Sequence, residues 1–253
     1  MLIKTITTEK LKTSVYDTRA EMGKAAGKAA AEAISNVLKE KEYANVIFAA
    51  APSQNEMLES LLCENVDFKR INAFHMDEYA GLSIEDGQSF AKYLYDHIFS
   101  KAPFASVNYI PAKEDVDTAC KHYAELLEKY PPDVVCMGIG ENGHIAFNDP
   151  PVADFSDPKL IKKVELDEIC RNQQVHDGCF PTLDDVPKYA LTLTVPALLS
   201  AKYLICTVPA PTKADAVKAM LEGPYGEVCP ATSLRKHDGA VMFLDKDSAS
   251  KVL

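Results

Sequence analysis

One glycine-rich segment, residues 133–150, constrains the fold of this chain more than any other part of it. It reads DVVCMGIGENGHIAFNDP. Four apolar residues, Val134 to Met137, break off at Gly138 and Gly140, as a buried parallel strand does where its backbone must approach another group closely. The loop after such a strand faces the crevice in which open α/β sheets bind ligands. The segment therefore predicts a buried strand with a binding loop at its carboxyl end.

His144 is the candidate catalytic group of this loop. Glu141, Asn142 and Asp149 flank it, and a carboxylate or amide beside an imidazole fixes its tautomer and raises its basicity. The same spacing also fits an ordinary turn in which the histidine is simply hydrogen-bonded, because a lone G-x-G motif is common. On its residues alone, the loop is consistent with an acid/base unit and with a structural turn.

Apolar runs and helical periodicities alternate along the rest of the chain. Right-handed crossovers between successive parallel strands then produce a sheet with helices on both faces. We therefore predict an α/β fold in which residues 1–253 form one domain, built on a single doubly wound, mostly parallel sheet with helices on both faces (Rossmann-like). The predicted strands are 45–51, 72–76, 108–111, 134–137, 189–195, 203–208 and 239–244, and the predicted helices are 18–39, 87–98, 116–130 and segments that begin near Ser53, Pro196 and Lys213.

The turn after the predicted strand 45–51 is a candidate anion site. Ser53 and Glu56 have the spacing of a capping box, which predicts the start of a helix. Free N–H groups and the positive end of the helix dipole at such a start attract anions. Most capped helices bind no ligand, so this pattern alone favours a structural cap.

Composition restricts the classes of function. A chain of 253 residues with 47% hydrophobic content can bury the core of one large α/β domain. A net charge of −10 argues against nucleic acid or an anionic membrane as a partner. The first residues lack the pattern of a signal peptide, and no apolar run approaches the roughly 18 residues that a membrane helix needs. We therefore expect a cytoplasmic protein with no nucleic-acid or membrane partner.

The seven cysteines are scattered and include no C-x-x-C pair. They are typical of reduced, mostly buried thiols and not of a disulfide framework or a zinc site. Cys179 lies in a polar stretch, where a reactive thiol is the alternative to an inert one. We expect neither a metal nor a cofactor.

A second motif, FHMDEY at 74–79, places Asp77 at the end of another predicted strand. Together with the segment 138–150, it resembles the paired signature of the glucosamine-6-phosphate deaminase (isomerase) family, whose fold also houses the 6-phosphogluconolactonases. The match is specific in these two motifs. Looser similarity covers most of the chain, with QSF at 88–90, VPKYALT at 186–192 and Lys213 in matching places.

The resemblance implies roles for individual residues. Asp77 would be the base that moves a proton between adjacent sugar carbons, and its neighbour Glu78 is expected in an ordinary structural ion pair. His144, oriented by Asn142 and Asp149, would be the acid that opens the sugar ring. The substrate contacts that the resemblance implies are Ala50, Ala51, Ser53, Gly140 and the phosphate-binding Lys213, with Arg171 as a further candidate.

Three positions depart from the family pattern. Residues 49–53 read AAAPS where the family has a Thr/Gly/Ser-rich loop around the sugar and its phosphate, so hydroxyl groups are lost. Asp149 is one methylene shorter than the usual glutamate, which shortens its reach by roughly 1.5 Å. The family's phosphate-binding arginine has no counterpart at 177–180, and Arg171 is the nearest cation. The irregular segment 150–185 around it is a candidate lid or site wall.

The combined pattern favours an aminosugar-phosphate isomerase/deaminase, which would convert a 2-amino-2-deoxyhexose 6-phosphate to the ketose 6-phosphate and ammonia. Its partner would be a small-molecule sugar phosphate, and a homo-oligomer is compatible with the sequence. A 6-phosphogluconolactonase-type hydrolase is the alternative enzyme, although the ending FNDP at 147–150 resembles the deaminases more. A non-catalytic sugar-phosphate-binding regulator is the third interpretation. The altered loop at 49–53 favours it, and the retained Asp77 and His144 argue against it.

Overall fold

A computed structural model describes residues 1–166, 168–176, 178 and 180–253. The strands in these ranges are β1 Leu2–Thr8, β2 Leu11–Tyr16, β3 Ala44–Phe48, β4 Ile71–His75, β5 Asp77–Tyr79, β6 Ser106–Asn108, β7 Val134–Met137, β8 Ile161–Glu165, β9 Tyr189–Leu193, β10 Tyr203–Val208 and β11 Ala240–Asp245. The helices are α1 Arg19–Glu40, α2 Asn55–Cys63, α3 Phe90–Leu94, α4 Val116–Lys129, α5 Glu168–His176, α6 Val195–Leu199 and α7 Ala214–Glu222. Helix α3 continues through a wider π-helical turn, Tyr95–Phe99.

Eight strands form one sheet in the order β1-β2-β11-β10-β7-β3-β4-β6. All neighbouring strands run parallel except β1 and β2. The chain leaves β3 toward β4 and β6, then returns to β7 on the other side of β3. The strand order therefore changes direction between β3 and β7, and such switch points are where doubly wound sheets bind ligands. The predicted fold class is confirmed.

Helices cover both faces of this sheet, as predicted. Val134 and Cys136 of β7 pack in an apolar cluster with α1, α2 and α3. Val135 and Met137 point to the opposite face, where they join α4, α6 and α7. Within the described ranges, no helix is both long and apolar enough to cross a bilayer.

Two glycines allow α1 to lie directly against α2. Gly23 and Gly27 are one helical turn apart on the same face. A Cβ at Gly23 would lie 2.2 Å from Glu56 Cβ, and one at Gly27 would lie 2.5 Å from Ser60 Cβ. Only glycine fits such a close approach of two helices. Arg19 lies one turn before Gly23, so the same packing carries its side chain to the start of α2.

Several element boundaries differ from the sequence prediction. Strands β1 and β2 lie where the sequence predicts none, and β6 spans 106–108 instead of 108–111. The predicted capping box is wrong. Ser53 lies inside a 3₁₀ turn, Pro52–Gln54, and α2 follows it without a side-chain cap. Pro52 favours this turn because its fixed φ suits the first position of a helix.

A second sheet, with three antiparallel strands in the order β5-β9-β8, adds to the predicted architecture. The sequence predicts no second sheet, because it treats 150–185 as irregular and Asp77 as the end of a strand of the large sheet. In the structure, β4 ends at His75 and β5 starts a new pairing at Asp77. The segment 150–185 contributes both β8 and α5.

The small sheet connects the two sequence motifs. Asp77 of β5 is paired with Thr192 of β9. Thr192 Oγ1 accepts a hydrogen bond from the Phe147 N–H at 3.1 Å, and Phe147 belongs to the segment 138–150, called the histidine loop below. Strand β9 therefore holds the histidine loop beside the strand that carries Asp77.

Candidate active site

The candidate site is a cavity that lies at the carboxyl ends of β3, β4, β7 and β10. This is the switch point of the sheet, where the sequence predicts the binding crevice. Asn142 and Asp149 lie behind His144 and contact it, whereas Arg171 does not belong to the wall. The predicted residues that line the cavity are Ala50, Ala51, Ser53, Asp77, Gly140, His144 and Lys213.

Asn142 and Asp149 hold the imidazole of His144 in one orientation. His144 Nδ1 lies 2.7 Å from Asn142 Oδ1 and 2.9 Å from Asp149 Oδ1. Asn142 Nδ2 donates to the same Asp149 oxygen at 2.8 Å, which turns the amide oxygen toward the imidazole. Two oxygen acceptors at Nδ1 assign the proton of the neutral ring to that nitrogen. The ring therefore offers the lone pair of Nε2 to a substrate, and the shorter Asp149 still reaches its partner.

The two glycines of the G-x-G motif are required by packing. A Cβ on Gly140 would lie 2.1 Å from Cε1 of His144 and 2.3 Å from both ring nitrogens. A Cβ on Gly138 would lie 3.0 Å from Gln54 Nε2. Neither glycine has a positive φ, in contrast to Gly143, whose φ is 81°. The predicted close approach of this backbone to other groups is thus confirmed.

Asp77 supplies a buried carboxylate to the cavity. Its exposed fraction is 7%. Burial, together with the negative charge of Glu78, raises the pKa of Asp77 well above its usual 3.8, because desolvation and a like charge both disfavour the ionised form. A carboxyl group whose pKa is raised and which faces a cavity is suited to proton transfer.

Glu78 has a structural role, as predicted, but the predicted ion pair is wrong. Its carboxylate accepts hydrogen bonds from the backbone N–H groups of Tyr79, Phe90 and Ala91 at 2.9, 3.1 and 2.8 Å. Two of these donors open α3, where a negative charge is favourable. Burial outweighs these bonds and raises the pKa of Glu78 to about 7.

The loop that follows β3 is joined to β10 beside Gly138. Gln54 Nε2 donates to the Thr207 carbonyl, and Thr207 Oγ1 donates to Gln54 Oε1, both at 3.3 Å. Both side chains are fully buried. Ser53, which precedes Gln54, and Lys213, which lies beyond the end of β10, both line the cavity. Lys213 is only 8% exposed and ends the 3₁₀ turn that leads into α7, so this residue lies at a helix start, as predicted.

Arg171 closes a loop instead of lining the cavity. Its Nη2 donates to the carbonyl groups of Leu183 at 2.5 Å and Val186 at 3.0 Å. The guanidinium therefore links α5 to the start of β9. The structure does not bring Arg171 to the substrate site. Cys179, considered above as a reactive thiol, lies outside the described residues.

The cavity wall also includes side chains that the sequence analysis does not single out, among them Arg19 and Gln174. Gln174 lies on α5 and is 7% exposed, so the segment 150–185 supplies part of the site wall, as predicted. Arg19 is the first residue of α1. The spacing of Arg19, Gly23 and Gly27 at intervals of four was a usable signal, because it places the arginine on the face that packs against α2.

The cavity thus combines a carboxyl group of raised pKa, an oriented imidazole and a buried ammonium group. Such a set can transfer protons on a polar substrate that carries an anionic group. In the part of the chain that the structure describes, no group of three or more His, Cys, Asp or Glu side chains is placed to bind a metal ion.

An acid/base site at the switch point of a doubly wound sheet defines a class, the Rossmann-like α/β proteins with a catalytic crevice. Comparison with known families then places the chain more closely. The sequence model described as glucosamine-6-phosphate isomerases/6-phosphogluconolactonase matches residues 17–243. The chain belongs to this family of enzymes.

Individual relatives show the same pattern. A glucosamine-6-phosphate deaminase of Bacillus thuringiensis (strain Al Hakam) is 33% identical over 219 residues, which cover 86% of this chain and 81% of that protein. A solved structure of a monomeric glucosamine-6-phosphate deaminase has a TM-score of 0.86 at 30% identity, over 94% of this chain and 99% of that one. A 6-phosphogluconolactonase of Thermotoga maritima has a TM-score of 0.75 at 20% identity, over 92% of this chain and 100% of that one, a likeness of fold alone.

Proposed function

We propose that this chain is an aminosugar-phosphate isomerase and deaminase. It converts a 2-amino-2-deoxyhexose 6-phosphate and water to the ketose 6-phosphate and ammonia. The observation that carries the proposal is that Asp77, whose pKa is raised, shares a cavity with the oriented imidazole of His144. The relatives described as glucosamine-6-phosphate deaminases support the substrate class.

His144 opens the sugar ring. Its Nε2 takes the proton of the anomeric hydroxyl and returns it to the ring oxygen, which breaks the bond between that oxygen and C1. The transient imidazolium keeps its Nδ1–H on Asp149 Oδ1, 2.9 Å away, so the carboxylate stabilises the positive charge. Asn142 fixes the orientation of the ring, in which Nδ1 contacts Asp149 while Nε2 transfers the proton.

Asp77 then moves a proton between carbons. Its carboxylate removes the proton from C2 of the open aldose and delivers it to C1. One proton passes from the amino group to the C1 oxygen, so the amino group becomes an imine and the C1 oxygen becomes a hydroxyl. Water adds to C2, and ammonia leaves as the C2 carbonyl forms. Burial favours this role, because a base of raised pKa holds the abstracted proton better than an exposed aspartate does.

Lactone hydrolysis is the second candidate. The pair formed by His144 and Asp149 is equally suited to take a proton from a water molecule that attacks a lactone carbonyl. Lactone hydrolysis moves no proton from one carbon to another, so it does not need Asp77 as a base. The buried Asp77 carboxyl group is the observation that favours the isomerase.

A substrate panel tests the proposal. The protein is incubated with glucosamine 6-phosphate, galactosamine 6-phosphate, the corresponding unaminated hexose 6-phosphates and 6-phosphogluconolactone, while ammonia, ketose and lactone are followed. We expect ammonia and ketose in equal amounts from one of the amino sugars. Lactone loss alone would support the hydrolase, and binding of a sugar phosphate without any turnover would support the regulator.

A further inference from the structure

Arg19 is a cationic side chain of the cavity wall that the mechanism above does not use. It lies on α1, far in sequence from the two motifs, and its side chain is 36% exposed. Its guanidinium is held on two sides. Nε donates to Glu56 Oε1 at 2.7 Å, and Nη2 donates to the Pro52 carbonyl. No described residue accepts a hydrogen bond from Nη1, so this part of the fork is available to a ligand.

The position of Arg19 depends on close packing and not on a flexible surface. Gly23 and Gly27 bring α1 against α2, and Glu56 lies in the first turn of α2. Glu56 and Pro52 then fix the orientation of the guanidinium group. A planar fork that is held in place loses little conformational entropy when it binds an oxyanion.

Arg19 stands beside a loop that offers few donors of its own. Residues 49–52 are three alanines and a proline, so the loop has no hydroxyl group before Ser53, and Pro52 has no N–H. The Pro52 carbonyl is occupied by Arg19 itself. An anionic group at this end of the cavity therefore meets a single hydroxyl group of the loop, that of Ser53, and charged side chains beside it add to its binding.

Lys213 supplies a second positive charge to the same cavity. The bridge between Gln54 and Thr207 fixes the loop after β3 to β10, the strand that leads to Lys213. Arg19, Glu56 and Lys213 together keep a net positive charge, and the attraction of the buried Lys213 for an anion is screened less than in water.

We propose that Arg19 binds the phosphate group of the substrate beside Lys213, for which the family resemblance already implies that role, and that Arg19 sets the preference for a phosphorylated sugar. This inference rests on the proposed function for its substrate class. The segment 177–180 lacks the phosphate-binding arginine of the family. In this proposal, Arg19 of α1 supplies that guanidinium group instead. Glu56 is a positioning residue, because it holds the guanidinium group of Arg19 but does not itself line the cavity.

The test compares binding of a hexitol 6-phosphate with that of the unphosphorylated hexitol, by calorimetry and by competition. Neither ligand can react, so the measurement does not depend on turnover. We expect the wild-type protein to bind the phosphorylated hexitol at least about tenfold more tightly. Arg19→Gln should reduce this ratio by a factor on the order of 10 to 100, as the loss of a charged hydrogen bond does. Lys213→Met should reduce it similarly.

Arg70→Gln is the matched control, because Arg70 also donates to backbone carbonyl groups, those of Leu38, Lys41 and Glu42, but lies outside the cavity wall. It changes the net charge equally and should keep the ratio within about twofold. If Arg19→Gln proves unstable, Arg19→Lys retains the charge without the fork and should lower the ratio severalfold.

An Arg19→Gln ratio equal to that of the wild-type protein would overturn the inference, as would a wild-type protein that does not distinguish the two hexitols. A phosphorylated hexitol that binds through Arg19, in a protein that releases no ammonia from any amino sugar, would leave the inference standing and remove the proposed function. The two proposals therefore fail on different measurements.

Discussion

The imidazole of His144 lies directly against the α-carbon of Gly140. The Gly140 N–H also donates to the His144 carbonyl at 2.9 Å, so the histidine loop folds back on itself around this contact. There is no room for a side chain, since a Cβ would lie 2.1 Å from the ring. The orientation of the candidate catalytic imidazole therefore depends on the absence of one methyl group.

Gly140→Ala should lower kcat by a factor on the order of 10², because the ring must move by about an ångström to make space. Nδ1 would then lose its contacts with Asn142 and Asp149. Steady-state kinetics on the best substrate of the panel would measure the effect. Gly87→Ala is the control, since a Cβ there meets no atom within 4 Å and should leave kcat unchanged. A fully active Gly140→Ala protein would mean that the ring position is not critical.

Asp77→Asn should abolish proton transfer between the sugar carbons while ligand binding persists. The substitution is nearly isosteric and removes only the base, so kcat should fall by a factor on the order of 10² or more. Exchange of the C2 proton with deuterated solvent would report this step directly. Wild-type turnover in the variant would rule out the isomerase mechanism, and lactone hydrolysis that depends on His144 but not on Asp77 would identify the hydrolase.

The pH profile of kcat should show the raised pKa of Asp77. The base works only when deprotonated, so activity falls as the pH drops through that pKa, at a pH well above 3.8. Saturating substrate keeps substrate affinity out of the profile. Glu78→Gln removes one of the two causes of the shift and should move the acid limb to lower pH. A wild-type limb near the pKa of an exposed aspartate would contradict the buried base.

Asp149→Asn should reduce kcat by about 10- to 100-fold with little effect on folding. The amide has no negative charge to stabilise the imidazolium, although it can still occupy the same space. Thermal unfolding would confirm that the variant is folded. Asp149→Glu keeps the charge and tests the length of the side chain. The glutamate that is usual in the family is longer and must fit a gap that Asp149 already spans at 2.9 Å. Equal activity of the Asp149→Asn and wild-type proteins would exclude the charge of Asp149 from the mechanism.

Thr192→Val tests the link between the two motifs. Valine has nearly the same shape but cannot accept the Phe147 N–H, which becomes a buried donor without a partner at a cost of about 1–3 kcal/mol. We expect a lower midpoint of thermal unfolding and roughly a tenfold loss of kcat, since the histidine loop is released from β9. Thr182→Val is the control, because its hydroxyl bonds only the exposed Asp185. A loss of stability without any loss of kcat would show that the hydrogen bond between β9 and the histidine loop is not needed for catalysis.

Much of the site could be predicted because its signals are local. The apolar run Val134 to Met137, the glycines after it and the acidic residue just after β4 occur as short patterns in the chain. Parallel strands in a doubly wound sheet all deliver their carboxyl ends to one edge, so Asp77 and His144 could be brought together without coordinates. The same reasoning placed Lys213 at this edge, after β10.

The remaining features depend on contacts between distant segments. Glu78 could not be assigned its backbone partners, because two of the three belong to a helix that starts 12 residues later. The second sheet was missed because β5 has only three residues and pairs with a strand more than 100 residues away. Arg171 looked available for a ligand, but the carbonyl groups that occupy it come from the far end of the same loop.

The sequence by itself determined the fold class and the histidine loop, since periodicity and motif spacing are properties of neighbouring residues, and the resemblance of its two motifs to a known family named the acid and base candidates. Only the tertiary structure decided which cations line the cavity. Arg171, close to the expected position, is held by the carbonyl groups of its own loop, whereas Arg19 reaches the cavity because two glycines let α1 lie against α2. A side chain's partners depend on what packs around it, and that packing is set by the whole chain at once.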